Sequence, residues 1–315
     1  MNTGIVFPGQ GSQATGMLAE LSADHSEVQE TFAEANDVLG KDLWAMCQAG
    51  PDDVLADTRV TQPLMLVSGV AVWRVLQHSD LPKPSVVAGH SLGEFAALVA
   101  SEVLSFADAL RLVKIRSELM ATAVPEGTGG MAALLGLDDA QVIELCAELS
   151  GSRVTEAVNF NAPGQVAISG HLDALEKTVV EAKGRGARKA VMLAVSVPNH
   201  SSLMRDAGEQ LASAIDGIEF SEPTIPIVQN LVAAAPADVQ ALVTNLKKHV
   251  YSPVQWTRSV EAIRDDFDVT LMFEAGPGKV LSGLNRRIDK QLRCLPVFSP
   301  DTLESAGAAL TATEV

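Results

Sequence analysis

The stretch VVAGHSLGEFAALVA, Val86 to Ala100, decides how the chain folds, because it sets a serine between two glycines where strand character gives way to helix character. Gly89-His90-Ser91-Leu92-Gly93 fits the nucleophile-elbow pattern, in which a tight strand-to-helix turn lifts a serine hydroxyl above a sheet. In a chain with 24 glycines among 315 residues that pattern also arises by chance, so its flanks must carry the reading. Ser85-Val86-Val87-Ala88 is short, β-branched and preceded by the breakers Pro82 and Pro84, as a buried strand is. Glu94 to Ala100 holds strong helix formers and no breaker. Strand, serine and helix come in the required order, which makes Ser91 the first candidate nucleophile.

Outward from the elbow, strand and helix patterns alternate. Gly4-Ile5-Val6-Phe7 reads as a strand and Pro8 to Gln13 as a loop, with helical patterns beyond, which predicts an α/β domain built on a parallel sheet. The middle of the chain departs from this. Met131–Gly136, Val154–Asn161, Gln165–Gly170 and Lys189–Val195 read as strands, with helices over Asp139–Leu149 and Leu172–Gly184. That βαββαβ order is the ferredoxin-like arrangement. The glycine-rich Pro125 to Gly130 and Pro198 bracket it, so residues 125–196 are expected to form a small domain inserted between 1–124 and 197–315 of a larger one. Further on, Val269 to Ala275 reads as a strand leading into Gly276-Pro277-Gly278-Lys279. This is no phosphate-binding P-loop, since Phe273 and Val280 stand where that motif needs glycine and Ser or Thr. After Pro300 a short helix or frayed tail is expected.

Composition narrows the class. Hydrophobic content of 47% with 20% charged residues is that of a globular domain. The N-terminus lacks a basic signal-peptide start, and no run is long and apolar enough to span a membrane. Cys47, Cys146 and Cys294 are few and scattered, which disfavours disulfides or a metal site and points to a reduced, cytoplasmic protein. A net charge of −16 disfavours nucleic-acid binding. An acidic partner would need a local basic patch: Lys183, Arg185, Arg188 and Lys189, or Lys279, Arg286, Arg287 and Lys290.

A serine hydroxyl needs a base, and histidine is the usual one. His90 adjoins Ser91, so the sharp turn points its side chain elsewhere, while His25, His78 and His171 stand in polar or helix-end contexts. His200 and His249 remain. His200 occupies a tight connection before the helical run Ser202 to Ile215, where functional side chains concentrate. Arg116 is marked differently. On the predicted helix Phe106–Val124, Arg111, Lys114 and Glu118 share one face, and Arg116 lies roughly 160° from it among Leu112, Val113, Leu119 and Met120. A guanidinium there must be paired, either by a protein carboxylate or by a ligand carboxylate held bidentately.

FPGQGSQ (7–13), TQP (61–63), GHSLGE (89–94), Arg116, NFNAPGQVAISG (159–170), VPNH (197–200), YSPVQW (251–256) and EAGPGKVL (274–281) together resemble bacterial malonyl-CoA:acyl carrier protein transacylases of type II fatty acid synthesis, from Gly4 to about Leu284. The resemblance implies an α/β-hydrolase-like large domain with the ferredoxin-like insert, and ping-pong transfer of malonyl from malonyl-CoA to holo acyl carrier protein. It implies that Ser91 is the nucleophile, His200 the base, the backbone amides of Gln10 and Leu92 the oxyanion hole, and Arg116 the partner of the malonyl carboxylate. Gln62, Asn159 and Asn161 are implied to line the acyl and CoA path. No metal or redox cofactor is implied, CoA entering only as part of the substrate. The resemblance further implies that a backbone carbonyl in Lys248-His249-Val250 orients His200, with His249 where glutamine is often seen. The rival readings are a serine acyl hydrolase, an acyltransferase serving a polyketide or malonate-decarboxylase carrier, and a silent docking protein, the last disfavoured by the presence of Ser91 and His200.

Overall fold

Successive residues of the first strand feed opposite sides of a sheet. Ile5 and Phe7 pack into one hydrophobic cluster and Val6 into another, and Val87 is likewise separated from Val86 and Ala88. Because a strand alternates its side chains, this division means that helices cover both faces, the usual condition of a parallel sheet. Each fully buried Val or Ile side chain contributes about 1.5–3 kcal/mol. The computed structural model describes residues 2–79 and 81–311.

The strands are β1 (Asn2–Phe7), β2 (Val86–Gly89), β3 (Gly129–Leu135), β4 (Thr155–Ala162), β5 (Gln165–His171), β6 (Lys189–Met192), β7 (Ile227–Val228), β8 (Val269–Ala275) and β9 (Arg293–Val297). They form two sheets. One is parallel, in the order β7-β2-β1-β8-β9. The helices Thr58–Gln77 and Phe106–Thr122 cover one face, and Trp256–Phe267 and Val280–Ile288 the other.

The second sheet is antiparallel, in the order β4-β5-β3-β6. The helices Asp139–Leu149 and Leu172–Gly184 cover one face through Val142, Leu145, Leu175 and Val179. Met131, Val158 and Ala167 turn to the other face. Two backbone bonds join the edge strand β4 to the rest of the chain: Phe160 N donates to Val254 O at 2.9 Å and Val254 N to Val158 O at 2.8 Å.

The expected strands and helices occur in the expected order, most with ends shifted by one or two residues; β6 and the run from Ser202 differ more. β6 stops at Met192, not Val195; Leu193 N still donates to Met131 O at 2.9 Å, and beyond it the chain leaves the ladder, with Leu193 and Val195 lining a cavity. The run Ser202 to Ile215 opens with a 3-10 turn, Ser202–Met204, before the helix Arg205–Ile215. Of the short helix or frayed tail expected after Pro300, a helix over Pro300–Thr311 is found, and residues 312–315 lie outside the described residues.

Candidate active site

The loops at the carboxyl ends of β1, β2 and β7 converge, as ligand sites on parallel sheets do. Between β2 and the helix Gly93–Ala100 the chain turns so tightly that glycine is required on both sides of the serine. A Cβ on Gly89 would lie 2.0 Å from the Gly93 carbonyl, and one on Gly93 would lie 2.1 Å from Phe7 O. Ser91 itself sits at φ 50°, a left-handed conformation that costs a non-glycine residue energy and recurs at functional turns. His200 also has a positive φ, 65°.

Ser91 Oγ lies 2.7 Å from His200 Nε2. On the far side of the ring, Nδ1 faces two backbone carbonyls, His249 O at 3.1 Å and Ser252 O at 3.0 Å. Carbonyls only accept, so Nδ1 carries the hydrogen and Nε2 is left as an acceptor for the serine hydroxyl. Burial lowers the imidazolium pKa to about 3, and the charges of Arg116 and His90 push the same way against the two carbonyls. The ring is therefore neutral near pH 7. As expected, His249 contributes its carbonyl. Its own ring is buried, edge-on to His200 at 5.5 Å, and among the described residues neither nitrogen has a hydrogen-bond partner. The nearest carboxylate oxygen, Glu94 Oε2, is 3.8 Å away, beyond hydrogen-bond range.

Arg116 is 2% exposed and among the described residues forms no ion pair. Its Nη1 donates to Gln62 Oε1, its Nη2 reaches Ser91 Oγ at 3.4 Å, and its Nε has no partner. Of the two pairings open in the sequence, a protein carboxylate is thus absent. Burial lowers the guanidinium to about 10, opposed by Glu94, so it stays cationic. Gln62 Nε2 is tied to Thr58 Oγ1 at 2.8 Å, and Thr58 Oγ1 reaches Gln10 Oε1 at 3.3 Å. A chain of side chains thereby runs from the guanidinium to the loop after β1. The backbone N–H groups of Gln10 and Leu92 donate to no acceptor among the described residues.

These residues line a cavity of about 210 Å³, to which the small sheet contributes Met131, Asn159, Asn161 and Ala167. Asn159 Oδ1 and Asn199 Oδ1 are buried there without hydrogen-bond partners among the described residues. The His90 ring does turn from Ser91, yet it lines the same cavity, with Nε2 2.8 Å from Asn161 Oδ1. A cleft of about 830 Å³ shares Gln10, Leu193 and Val195 with the cavity. Among the described residues no cluster of His, Cys, Asp and Glu could hold a metal, and no helix is long and apolar enough to cross a membrane.

Sequence reasoning missed Asn230 and Glu94. Asn230 Oδ1 accepts from Ser91 N at 2.7 Å, while its Nδ2 donates to Gly89 O at 2.5 Å and Glu94 Oε2 at 2.6 Å. Glu94, fully buried, also accepts from Asn230 N at 2.8 Å and Gln229 Nε2 at 3.1 Å. Burial raises its carboxyl to about 7, against those hydrogen bonds and the charge of Arg116. An acidic residue in an otherwise apolar helix, Glu94 to Ala100, was the available signal for Glu94; Asn230 had none.

The acyl transferase domain model matches residues 5–272. The malonyl CoA-acyl carrier protein transacylase of Salmonella typhimurium is 48% identical over 302 residues, covering 96% of this chain and 97% of that protein. The crystal structure of malonyl-CoA:acyl carrier protein transacylase from Xanthomonas oryzae pv. oryzae superposes with a TM-score of 0.95 at 48% identity, covering 98% of this chain and 99% of that one. A malonyl-transacylase seen in complex with a type II PKS acyl-carrier protein gives 0.95 at 45% identity, covering 97% of this chain and 99% of that one. At these identities and coverages the chain belongs to the acyl transferase domain family, among its malonyl CoA-acyl carrier protein transacylases.

Proposed function

We propose that this chain is an acyltransferase that moves malonyl from malonyl-CoA to the phosphopantetheine thiol of acyl carrier protein, supplying fatty acid synthesis, through an acyl-enzyme on Ser91. The observation that carries the reading is Arg116, a buried cation beside Ser91 Oγ with no carboxylate paired to it among the described residues. A malonyl carboxylate is the partner it lacks.

Ser91 Oγ attacks the thioester carbonyl carbon as its proton passes to His200 Nε2. The oxygen of the tetrahedral intermediate gains negative charge and faces the free amides of Gln10 and Leu92. Collapse breaks the carbon–sulfur bond, and His200 returns the proton to the departing CoA sulfur. In the second half the carrier thiol gives its proton to His200 and attacks the Ser91 ester. His200 then reprotonates Ser91 Oγ, and malonyl leaves on the carrier. Gln62 fixes the guanidinium fork, Asn159 and Asn161 line the acyl path, and the adjoining cleft takes the pantetheine arm. No step calls for a metal or redox cofactor.

The architecture supports the same reading. Residues 1–124 and 197–315 form an α/β-hydrolase-like body, and 125–196 a ferredoxin-like insert whose helix-free sheet face packs over the serine. The free cysteines fit a cytoplasmic setting.

Intact-protein mass spectrometry with malonyl-CoA, acetyl-CoA or no donor, followed by holo carrier protein, tests the proposal. A malonyl adduct mapped to Ser91 that moves to the carrier is the expected result. An adduct lost to water with the carrier unloaded favours the hydrolase, and no adduct removes the mechanism.

A further inference from the structure

We propose that Thr58, which opens the helix Thr58–Gln77 outside the serine cavity, is a positioning residue: its hydroxyl holds Gln10 so that the Gln10 amide meets the oxyanion, and ties that amide to Arg116. This rests on the transfer reading above. Thr58 lines the adjoining cleft and not the cavity, whereas Gln10 lines both. Thr58 therefore acts through Gln10 and touches no reacting atom.

The direction of each bond in the chain from Arg116 to Gln10 is fixed by what its atoms can do. A guanidinium only donates, so Gln62 gives its oxygen to Arg116 Nη1 and turns its NH2 to Thr58 Oγ1, 2.8 Å away. Thr58 Oγ1 accepts there, and among the described residues the acceptor for its own hydrogen is Gln10 Oε1, at 3.3 Å. Donors thus run head to tail from a cation, an order in which each bond polarises the next. Gln62 and Thr58 are both buried, which shelters these bonds from water.

Gln10 has little else to fix it. It stands between Gly9 and Gly11, the latter at φ 105°, and glycine on both sides leaves the peptide free to rotate. Among the described residues its backbone makes no hydrogen bond, and the bond to Thr58 is the one its side chain makes. The flanking residues are set independently: a Cβ on Gly9 would lie 2.5 Å from His90 O, and Gly11 N donates to Gln13 Oε1 at 2.7 Å. The side-chain anchor is therefore what aims the Gln10 N–H, and an oxyanion donor must be aimed to within a few tenths of an ångström. At 3.3 Å the last link is the longest of the chain, so a small shift of Gln62 decides whether it holds. The chain starts at a cation whose Nη2 is 3.4 Å from Ser91 Oγ, so seating of the acyl carboxylate and alignment of the oxyanion donor are joined through Thr58.

The test is Thr58→Val in the full chain, which keeps the shape of the side chain and removes the hydroxyl. Rapid-quench acylation of Ser91 by malonyl-CoA should show a maximal rate lower by about tenfold, with the half-saturating malonyl-CoA concentration within about twofold, because the displaced donor serves the transition state and not the bound substrate. Thr58→Ser, which restores the hydroxyl, should recover the rate to within about twofold. Gln10→Ala cuts the same bond from its other end and should show a similar loss; combined with Thr58→Val it should cost no more than about twofold further. Gln10 is only half-buried, so its truncation reads the same bond even where Thr58→Val does not fold. An unaltered rate in Thr58→Val overturns the proposal. So does full additivity of the two substitutions, or a loss confined to malonyl with acetyl-CoA acylation untouched, which would assign Thr58 to the Arg116 fork alone. Absence of any malonyl adduct on the unaltered chain is distinguishable from all of these and would strike the transfer reading together with this one.

Discussion

Asn230 Oδ1 accepts the Ser91 amide N–H at 2.7 Å, so the backbone of the candidate nucleophile is held from the loop after β7, far away in sequence. With its Nδ2 on Gly89 O and Glu94 Oε2, one amide spans the strained turn from strand to helix. Asn230→Ala should slow malonylation of Ser91 about tenfold or more, with a much smaller change in malonyl-CoA KM, because small losses of alignment are costly at a reacting centre. Rapid-quench acylation at the unaltered rate would show that Asn230 is structural only.

Arg116→Ala should abolish the preference for malonyl while sparing part of any acetyl transfer. A site built around a buried charged partner penalises the analogue without one, so the malonyl-to-acetyl ratio of kcat/KM should fall about 100-fold or more. An unchanged ratio, measured by competition between the two donors, would count against the assignment.

The pH dependence follows from the lowered His200 pKa of about 3. Protonation would remove the base, and a depressed pKa keeps the neutral ring available as pH falls. Acylation should therefore lack the decline near 6.5 expected of an ordinary histidine. Glu94, at about 7, titrates in the same window, so the profile is repeated on Glu94→Gln. A fall centred near 6.5 that persists in that variant would contradict the assignment.

His249 offers its carbonyl to His200, and its buried ring is held well below the ordinary histidine pKa first by burial, then by Arg116 and its histidine neighbours. His249→Gln should keep acylation within about threefold, since a substitution leaves the carbonyl in place. Unfolding releases a ring that can bind a proton the folded state excludes. The stability associated with the neutral ring is thus present above about pH 6.5 and lost as pH falls below it. His249→Gln should accordingly flatten the decline of Tm between pH 7 and 5. Identical Tm profiles for the two proteins would refute this.

The elbow and the small sheet were legible in the sequence because each rests on local pattern. The Gly89 and Gly93 contacts are steric demands of the turn itself, and the helices Asp139–Leu149 and Leu172–Gly184 follow apolar periodicity between clear breakers. Arg116 was legible because a charge on the apolar side of a helix breaks that periodicity. Asn230 was not, because its three side-chain bonds all reach partners 136 or more residues away. Thr58 escaped for the same reason: its reach to Gln10 exists only once the fold brings the start of the helix Thr58–Gln77 beside the loop after β1.

The backbone stitch between Phe160, Val158 and Val254 lies two residues from Ser252, whose carbonyl helps hold the His200 ring. Any tilt of the small sheet would pull on that carbonyl through a short, hydrogen-bonded lever. The small-sheet residues that line the serine cavity and the carbonyl that aims its base thus belong to one continuous hydrogen-bonded unit.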